Sequence, residues 1–276
     1  MPENLHQRRE VLNYICMAII NSTGVGAGKK SAGVFTYRRV RGRTIASARV
    51  QSNKSNTQGQ QTQRAVFAFF NRVAKSLNTC IGESFNQTKY GSRRNAFIQA
   101  NKRAQLWLSD QVREGLIQLD NEKSEYAPLA IILDAVNATG AAKMTAPVFV
   151  SHGALLAKST VLVVTSLLSI DVNIQLSRDF KPGDTVFILY CQHRTDSDGQ
   201  SAEYTQLFRY DLTQADIAAI TLPNMFTVTS DMIPNLYSCR TVPLGYTRKS
   251  EAAAAFVKNS GDGTTATTKL VTLTVQ

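Results

Sequence analysis

From Ala146 onward the chain is a succession of short β-rich runs: APVFVS, STVLVVTSL, IDVNIQL, DTVFILYCQ, YTQLFRY, FTVTS, LYSCRTV and KLVTLTV. Turn residues divide them, as at Lys181-Pro182-Gly183-Asp184 and Asp196-Ser197-Asp198-Gly199. Strands this short and this closely spaced bury their apolar faces by packing sheet on sheet. Several runs also alternate. Val172, Ile174 and Leu176 fall on one face, with Asp171, Asn173 and Gln175 on the other. Val271, Leu273 and Val275 alternate with Thr272 and Thr274 in the same way. A period of two marks a strand with one buried side. The expectation for residues 146–276 is an antiparallel β-sandwich of immunoglobulin-like architecture. It is not a true immunoglobulin domain, because the Cys…Trp…Cys pattern is missing. The polar tips at residues 196–199 and 259–263 are expected to be exposed.

The part before this β half differs in charge. Residues 1–110 hold 18 Lys and Arg against 4 Asp and Glu, a net of +14. Residues 111–276 hold 13 against 16, a net of −3, which completes the overall +11. A split this lopsided points to a surface that meets polyanions or an acidic subunit, against the plainer reading of a solvated basic face. With 43% apolar residues the chain can bury a sizeable core. No apolar run is long enough to cross a bilayer.

The basic character concentrates in GVFTYRRVRGRTIASARV. This segment predicts two strands, residues 34–40 and 43–50, with Arg41-Gly42 at the turn. Gly42 can take the positive φ that a tight hairpin requires. Arg38, Arg39, Arg41, Arg43 and Arg49 ride on this ribbon, and Lys29 and Lys30 precede it; together they are the candidate contact site. A guanidinium pairs bidentately with phosphate, and equally with carboxylates of a neighbouring subunit. An isolated hairpin is marginal in water, so this one leans on another chain or on another part of its own. The preceding loop, TGVGAGKKSAG, is not a P-loop. Gly28-Lys29 is followed by Lys30, position 23 is Thr where the pattern needs Gly, and the segment leads towards a strand. It is read as a linker.

Arg8 and Arg9 precede VLNYICMAII, the outline of a short signal peptide, but Asn13 and Tyr14 interrupt the apolar run and no good small-x-small site follows at the right distance. Leu5, Leu12, Ile15, Ile19 and Ile20 fall near one face at helical spacing. An amphipathic helix over residues 3–21 is therefore expected, making residues 1–22 a first segment. Asn56 or Thr57 caps the next helix. Its stripe of Val66, Phe67, Phe70, Ala74, Leu77 and Ile81 faces a core or a partner, while Arg64, Arg72 and Lys75 stay wet. Phe97, Ile98, Leu106 and Trp107 supply the buried side of SRRNAFIQANKRAQLWL. These aromatics are read as core rather than as a base-stacking platform. Residues 126–142, with Pro128 and Gly140, are a helix or a connector. The organisation expected is α+β: the N-terminal helix, a basic hairpin–helix region over 23–110, a connector over 111–145, and the β domain.

The order of hairpin, SNTQGQQTQRAVFAFFNRVAKSL and RNAFIQANK resembles an uncharacterised domain family found in Bacteroidetes and their phages. That family has a Gly-Lys-rich start, a strand pair, a Gln-Gln-x-Gln-Arg element and an Asn-x-Phe-x-x-x-Asn element. Gln60, Gln61, Gln63 and Arg64 match the first element, and Asn95, Phe97 and Asn101 match the second. The resemblance covers residues 26–104 and continues more loosely through APVFVSHGAL and KPGDTVFILYC. The basic N-terminal addition is also similar to that of a virion protein of the crAss-like phages. What the resemblance implies is a fold and a biological setting, not a chemistry.

Residues that carry chemistry are sparse. Cys16, Cys80, Cys191 and Cys239 are widely spaced, without a Cys-x-x-Cys, so free thiols in a reducing compartment are expected. Cys191 and His193 lie two apart, too few ligands for Zn²⁺. Ser151-His152 is read as a turn cap. A Ser/His/Asp triad converges only in a fold and stays open at this stage, and no Gly-x-Ser-x-Gly is present. Asp196 and Asp198 make an ordinary turn rather than a complete Ca²⁺ loop. No cofactor, metal, small-molecule substrate, membrane partner or enzymatic activity is expected. Two readings follow. One is a structural virion protein assembled in the host cytoplasm into a homo-oligomeric neck or tail ring, beside other portal and tail proteins and with non-specific DNA contact. The other is a nucleic-acid-binding protein that grips phosphate with its basic hairpin.

Overall fold

A computed structural model describes residues 17–20, 30–32, 35–48, 56–87, 91–119, 127–163, 170–222, 224–236 and 238–275. The chain divides into two compact units, Met1–Asn56 and Thr57–Gln276. The division falls at the start of the first helix, and residues 111–145 belong to the second unit.

The first unit is an antiparallel sheet of β1 (Met17–Ile20), β2 (Lys30–Ala32), β3 (Phe35–Val40) and β4 (Arg43–Ala48), in the order β1-β4-β3-β2. The expected hairpin is there. Arg41 (φ 52°) and Gly42 (φ 79°) both lie in the left-handed region, the turn whose twist suits two antiparallel strands. The expected N-terminal helix is corrected where it is described. Met17–Ile20 is a strand, with Met17 opposite Ser47 and Ile20 opposite Thr44. A short apolar run satisfies helix and strand patterns alike, and pairing with β4 decides for the strand. The remainder of that expected helix lies outside the described residues.

The second unit has three layers. The middle layer is an antiparallel sheet in the order β13-β11-β8-β9, built from β8 (Asp184–Asp196), β9 (Ser201–Asp211), β11 (Tyr246–Asn259) and β13 (Val271–Thr272). It is covered on both faces. Phe187, Leu189, Cys191, Ala252, Ala254 and Phe256 point into a core shared with helices. Val186, Ile188, Tyr190, Ala253, Ala255 and Val257 point into a core shared with the second sheet. That sheet runs β10-β7-β6-β12-β5, from β5 (Phe149–Ser151), β6 (Leu155–Val163), β7 (Ile170–Leu176), β10 (Met225–Val228) and β12 (Ala266–Lys269). β14 (Thr274–Val275) and β12 both pair with β6 in parallel, so this sheet is mixed rather than wholly antiparallel.

Two assignments change within the β half. The described residues of LYSCRTV, 236 and 238–242, form no strand, and the longest strand among the described residues, β11, comes from YTRKSEAAAAFVKN. Alanine is a weak strand former. It is selected here because a strand covered on both faces needs small side chains where the layers approach closely. Phe256 stacks on Phe187, its register partner, with ring centroids 5.0 Å apart. The predicted alternation of β7 holds, with Ile170, Val172, Ile174 and Leu176 buried. Asn259, expected at an exposed tip, is buried and donates to Asp184 Oδ1 at 2.9 Å.

The helical layer consists of α1 (Gln58–Ser76), α2 (Asn78–Ser84), α3 (Arg93–Ala100), α4 (Lys102–Arg113) and α5 (Pro128–Asn137). Thr57 Oγ1 caps α1 by accepting from Gln60 N. The α1 stripe is rotated slightly from expectation: Phe69 and Val73 are buried, while Phe67 is 56% exposed. In α4 Leu108 is buried in place of Leu106. Asn101, between α3 and α4, is buried; it donates to Phe97 O and Phe149 O and accepts from Phe149 N. Phe97 and Asn101, the core of the Asn-x-Phe-x-x-x-Asn element, therefore hold the helices to β5. The short helix α6 (Gln214–Ala218) is closed by a capping box between Thr213 and Asp216.

Candidate functional site

The basic ribbon divides its arginines between two faces. In the β3–β4 ladder Arg38 is opposite Ile45, Arg39 opposite Thr44 and Val40 opposite Arg43. Successive strand residues point to opposite faces. Arg38 and Arg43 therefore share one face as diagonal neighbours, Arg39 lies on the other, and Arg41 sits in the turn. All four are exposed. Lys30 is in β2, opposite Tyr37. Lys29 and Arg49 lie outside the described residues. Among the described residues of β3 and β4 only Ala46 is buried, while Phe35 is 48% and Val40 37% exposed.

A second constellation, left open by the sequence, forms in the other unit. His193 Nδ1 lies 2.8 Å from Asp134 Oδ1, and His193 Nε2 lies 3.2 Å from Ser201 Oγ. Ser250 Oγ donates to the same Asp134 oxygen at 2.5 Å, and Lys249 Nζ is 3.6 Å from Oδ2. Burial pushes the Asp134 carboxyl up, but the hydrogen bonds of His193 and Ser250 and the positive groups nearby outweigh it and hold its pKa below the ordinary value. Glu203, opposite His193 in the ladder, shows the reverse balance. Burial raises its pKa, despite hydrogen bonds from Ser76 and from Leu129 N. The last of these, 2.9 Å from Leu129 N to Glu203 Oε2, satisfies a free N–H at the start of α5, whose own cap residue Ala127 offers no side-chain acceptor.

The order Asp134, His193, Ser201 is that of a charge-relay triad. Here its contacts tie a helix to three strands. Its groups come from α5, β8, β9 and β11, and His193 is 1% exposed. The other residues weighed in the sequence do not join it. Cys191 is buried in the helix-side core. Ser151 Oγ donates across to Ala266 O at 2.7 Å instead of capping a turn. His152 is exposed and donates its backbone N–H to Ser84 O. Asp196 Oδ1 accepts from Asp198 N and Gln200 N, closing its own turn. Among the described residues no three His, Cys, Asp or Glu side chains converge as metal ligands would. No helix among them is long and apolar enough to cross a membrane.

These observations define the class as α+β, with antiparallel sheets and one sheet that also contains parallel pairs. In comparisons with known proteins, no family model matches the chain and no curated protein matches it.

Proposed function

We propose that the chain is a structural virion protein of a phage. It forms a homo-oligomeric ring in the neck or tail, next to the portal, through which DNA passes. The second unit serves as the rigid block, a β-sandwich of immunoglobulin-like architecture extended by a helical layer. The first unit is the element that reaches a neighbour.

The observation that carries this reading is the two-faced ribbon. A protein tracking a phosphate backbone gains most from cations gathered on one face. Arginines on both faces suit a strand pair held between surfaces. A sheet whose hairpin buries one residue among those described needs such surfaces to be stable. In a closed ring each contact is heterologous, so a basic donor surface and a mildly acidic acceptor can belong to the same chain. Residues 1–56 carry 10 Lys and Arg against 2 Asp and Glu, and residues 114–276 carry 12 against 16.

The experiment is mass determination by light scattering across a concentration series, with the Arg38→Ala/Arg39→Ala/Arg41→Ala/Arg43→Ala variant beside the parent. A discrete oligomer that falls to monomer in the variant is the expected result. A monodisperse parent monomer at high concentration sinks the proposal.

The nucleic-acid-binding alternative rests on the same arginines. It requires DNA affinity that falls steeply with salt, with a slope that flattens in the same variant. Equal binding by parent and variant rules it out.

A further inference from the structure

The second sheet has a gap along one edge of β6. β12 pairs with β6 at Ala266 opposite Leu155 and Thr267 opposite Leu156, and β14 resumes the pairing only at Thr274 opposite Leu162. Between these points the chain turns away: Thr268 and Lys269 pair with β5, and Val271 and Thr272 pair with β11 of the middle sheet. Residues 157–161 of β6 therefore have no ladder partner on this edge among the described residues, while their other edge pairs with β7 throughout.

Backbone direction picks out Ser159. Leu155 N donates to Thr265 O beside β12 at 3.2 Å, whereas Leu156 O accepts from Ser177 N on the β7 side at 2.9 Å. Direction alternates along a pleated strand, so Ser159, in the middle of the gap, turns its backbone N–H and C=O towards it. Its Oγ is buried and has no hydrogen-bond partner among the described residues. A buried hydroxyl left without a partner calls for an explanation.

The gap opens into a cleft of about 470 Å³, within the size range of small-molecule sites. Phe149, Leu156 and Val271 give it apolar walls, and Lys158, Ser159 and Lys269 also line it. The two threonines at its side are occupied: Thr267 Oγ1 donates to Gly153 O and Thr268 Oγ1 to Ala255 O. Both lysines are exposed, and no acidic residue lines the cleft. Neither lysine meets a carboxylate within ion-pair distance among the described residues.

We propose that this cleft binds one small carboxylic acid with an apolar body. The N–H and Oγ–H of Ser159 donate to the carboxylate, and Lys158 and Lys269 supply the opposite charge. The apolar body lies against Phe149, Leu156 and Val271. Such walls favour a body that leaves water readily and disfavour a phosphate dianion, whose charge is strongly hydrated.

The test is equilibrium dialysis of the full chain with radiolabelled octanoate at constant ionic strength. One saturable octanoate per chain is expected. Octan-1-ol, the same chain without the charge, should compete at least about tenfold more weakly, the scale of lost charge-assisted hydrogen bonds. Ser159→Ala and the Lys158→Gln/Lys269→Gln double variant should each weaken octanoate binding by roughly the same factor. The lysine variant changes exposed positions only, so it carries the test even where Ser159→Ala fails to fold. Lys102→Gln, on α4, should leave binding unchanged and controls for general charge. No saturable uptake at millimolar octanoate, equal competition by octan-1-ol, or undiminished binding in the lysine variant overturns the proposal.

Discussion

Asp134 on α5 and His193 on β8 meet at 2.8 Å across 59 residues of sequence, joining an apolar helix to the strand at the centre of the fold. With Glu203 holding the first turn of α5, polar contacts fasten a helix whose buried side chains, among them Leu129, Ile132 and Leu133, are apolar. Asp134→Ala should therefore destabilise the protein by about 1–3 kcal/mol in urea unfolding. In a double-mutant cycle with His193→Gln the two losses should fall short of additive. Strict additivity would mean the pair is not coupled.

The relay order of Asp134, His193 and Ser201 invites a chemical check. A fluorophosphonate probe is expected to leave Ser201 unmodified, because a histidine 1% exposed is poorly placed to exchange protons with an incoming substrate. A stoichiometric Ser201 adduct found by peptide mass spectrometry would make this cluster an active site.

Acid should act mainly through Asp184. Its fully buried carboxylate accepts from Arg178 Nη1 and Nη2, both at 2.8 Å, from Lys181 N at 2.8 Å and from Asn259 Nδ2 at 2.9 Å. Burial alone would raise its pKa; these hydrogen bonds and the Arg178 charge bring it below the ordinary value. A lowered folded-state pKa gives stability that is present above the unfolded value of about 3.9 and is lost as pH falls through the folded one. Asp184→Asn should cost about 3–5 kcal/mol at neutral pH, the scale of breaking a buried pair. The difference between parent and variant should narrow as pH drops below about 4. A difference that stays constant from neutral to acid would show that the charge is not the cause.

Two glycines should respond in opposite directions. A Cβ on Gly153 would stand 1.8 Å from Thr265 O, a backbone atom. Gly153→Ala must then displace the contacts that Leu155 N makes with Thr265 O and Gly153 N makes with Thr267 Oγ1. A cost of about 3 kcal/mol, the upper end for overpacking, is expected. Gly82, inside α2, has open space where its Cβ would go, and Gly82→Ala should gain about 0.5–1 kcal/mol. Thermal melts of both variants would measure the contrast.

The buried thiols should be inert in the native state. Burial pushes Cys80 and Cys239 up to about 12 and Cys191 well above its ordinary value, and the thiolate is the reactive form. In a Cys16→Ser background, a disulfide reagent at neutral pH should react with none of the three until denaturant is added. Rapid reaction in native buffer would contradict their placement.

Much of the fold was legible because it is written locally. The alternation in IDVNIQL places β7 at the residues it occupies, the pair Asn56 and Thr57 announces the start of α1, with Thr57 the cap that forms, and Arg41-Gly42 announces the turn of the ribbon. The errors have a common cause. The four apolar residues of MAII fit either period, and the four alanines in a row in β11 carry no strand signal. In each case the deciding partner lies elsewhere in the chain.

By itself, then, the sequence determined the two-part charge, the ribbon and the β-rich second half, since composition and short periodicity fix what each segment prefers. The tertiary structure alone decided that the middle sheet is buried on both faces. It also brought Asp134 to His193 and set Arg194 against Arg248, because contacts between residues so far apart exist only when the layers have packed.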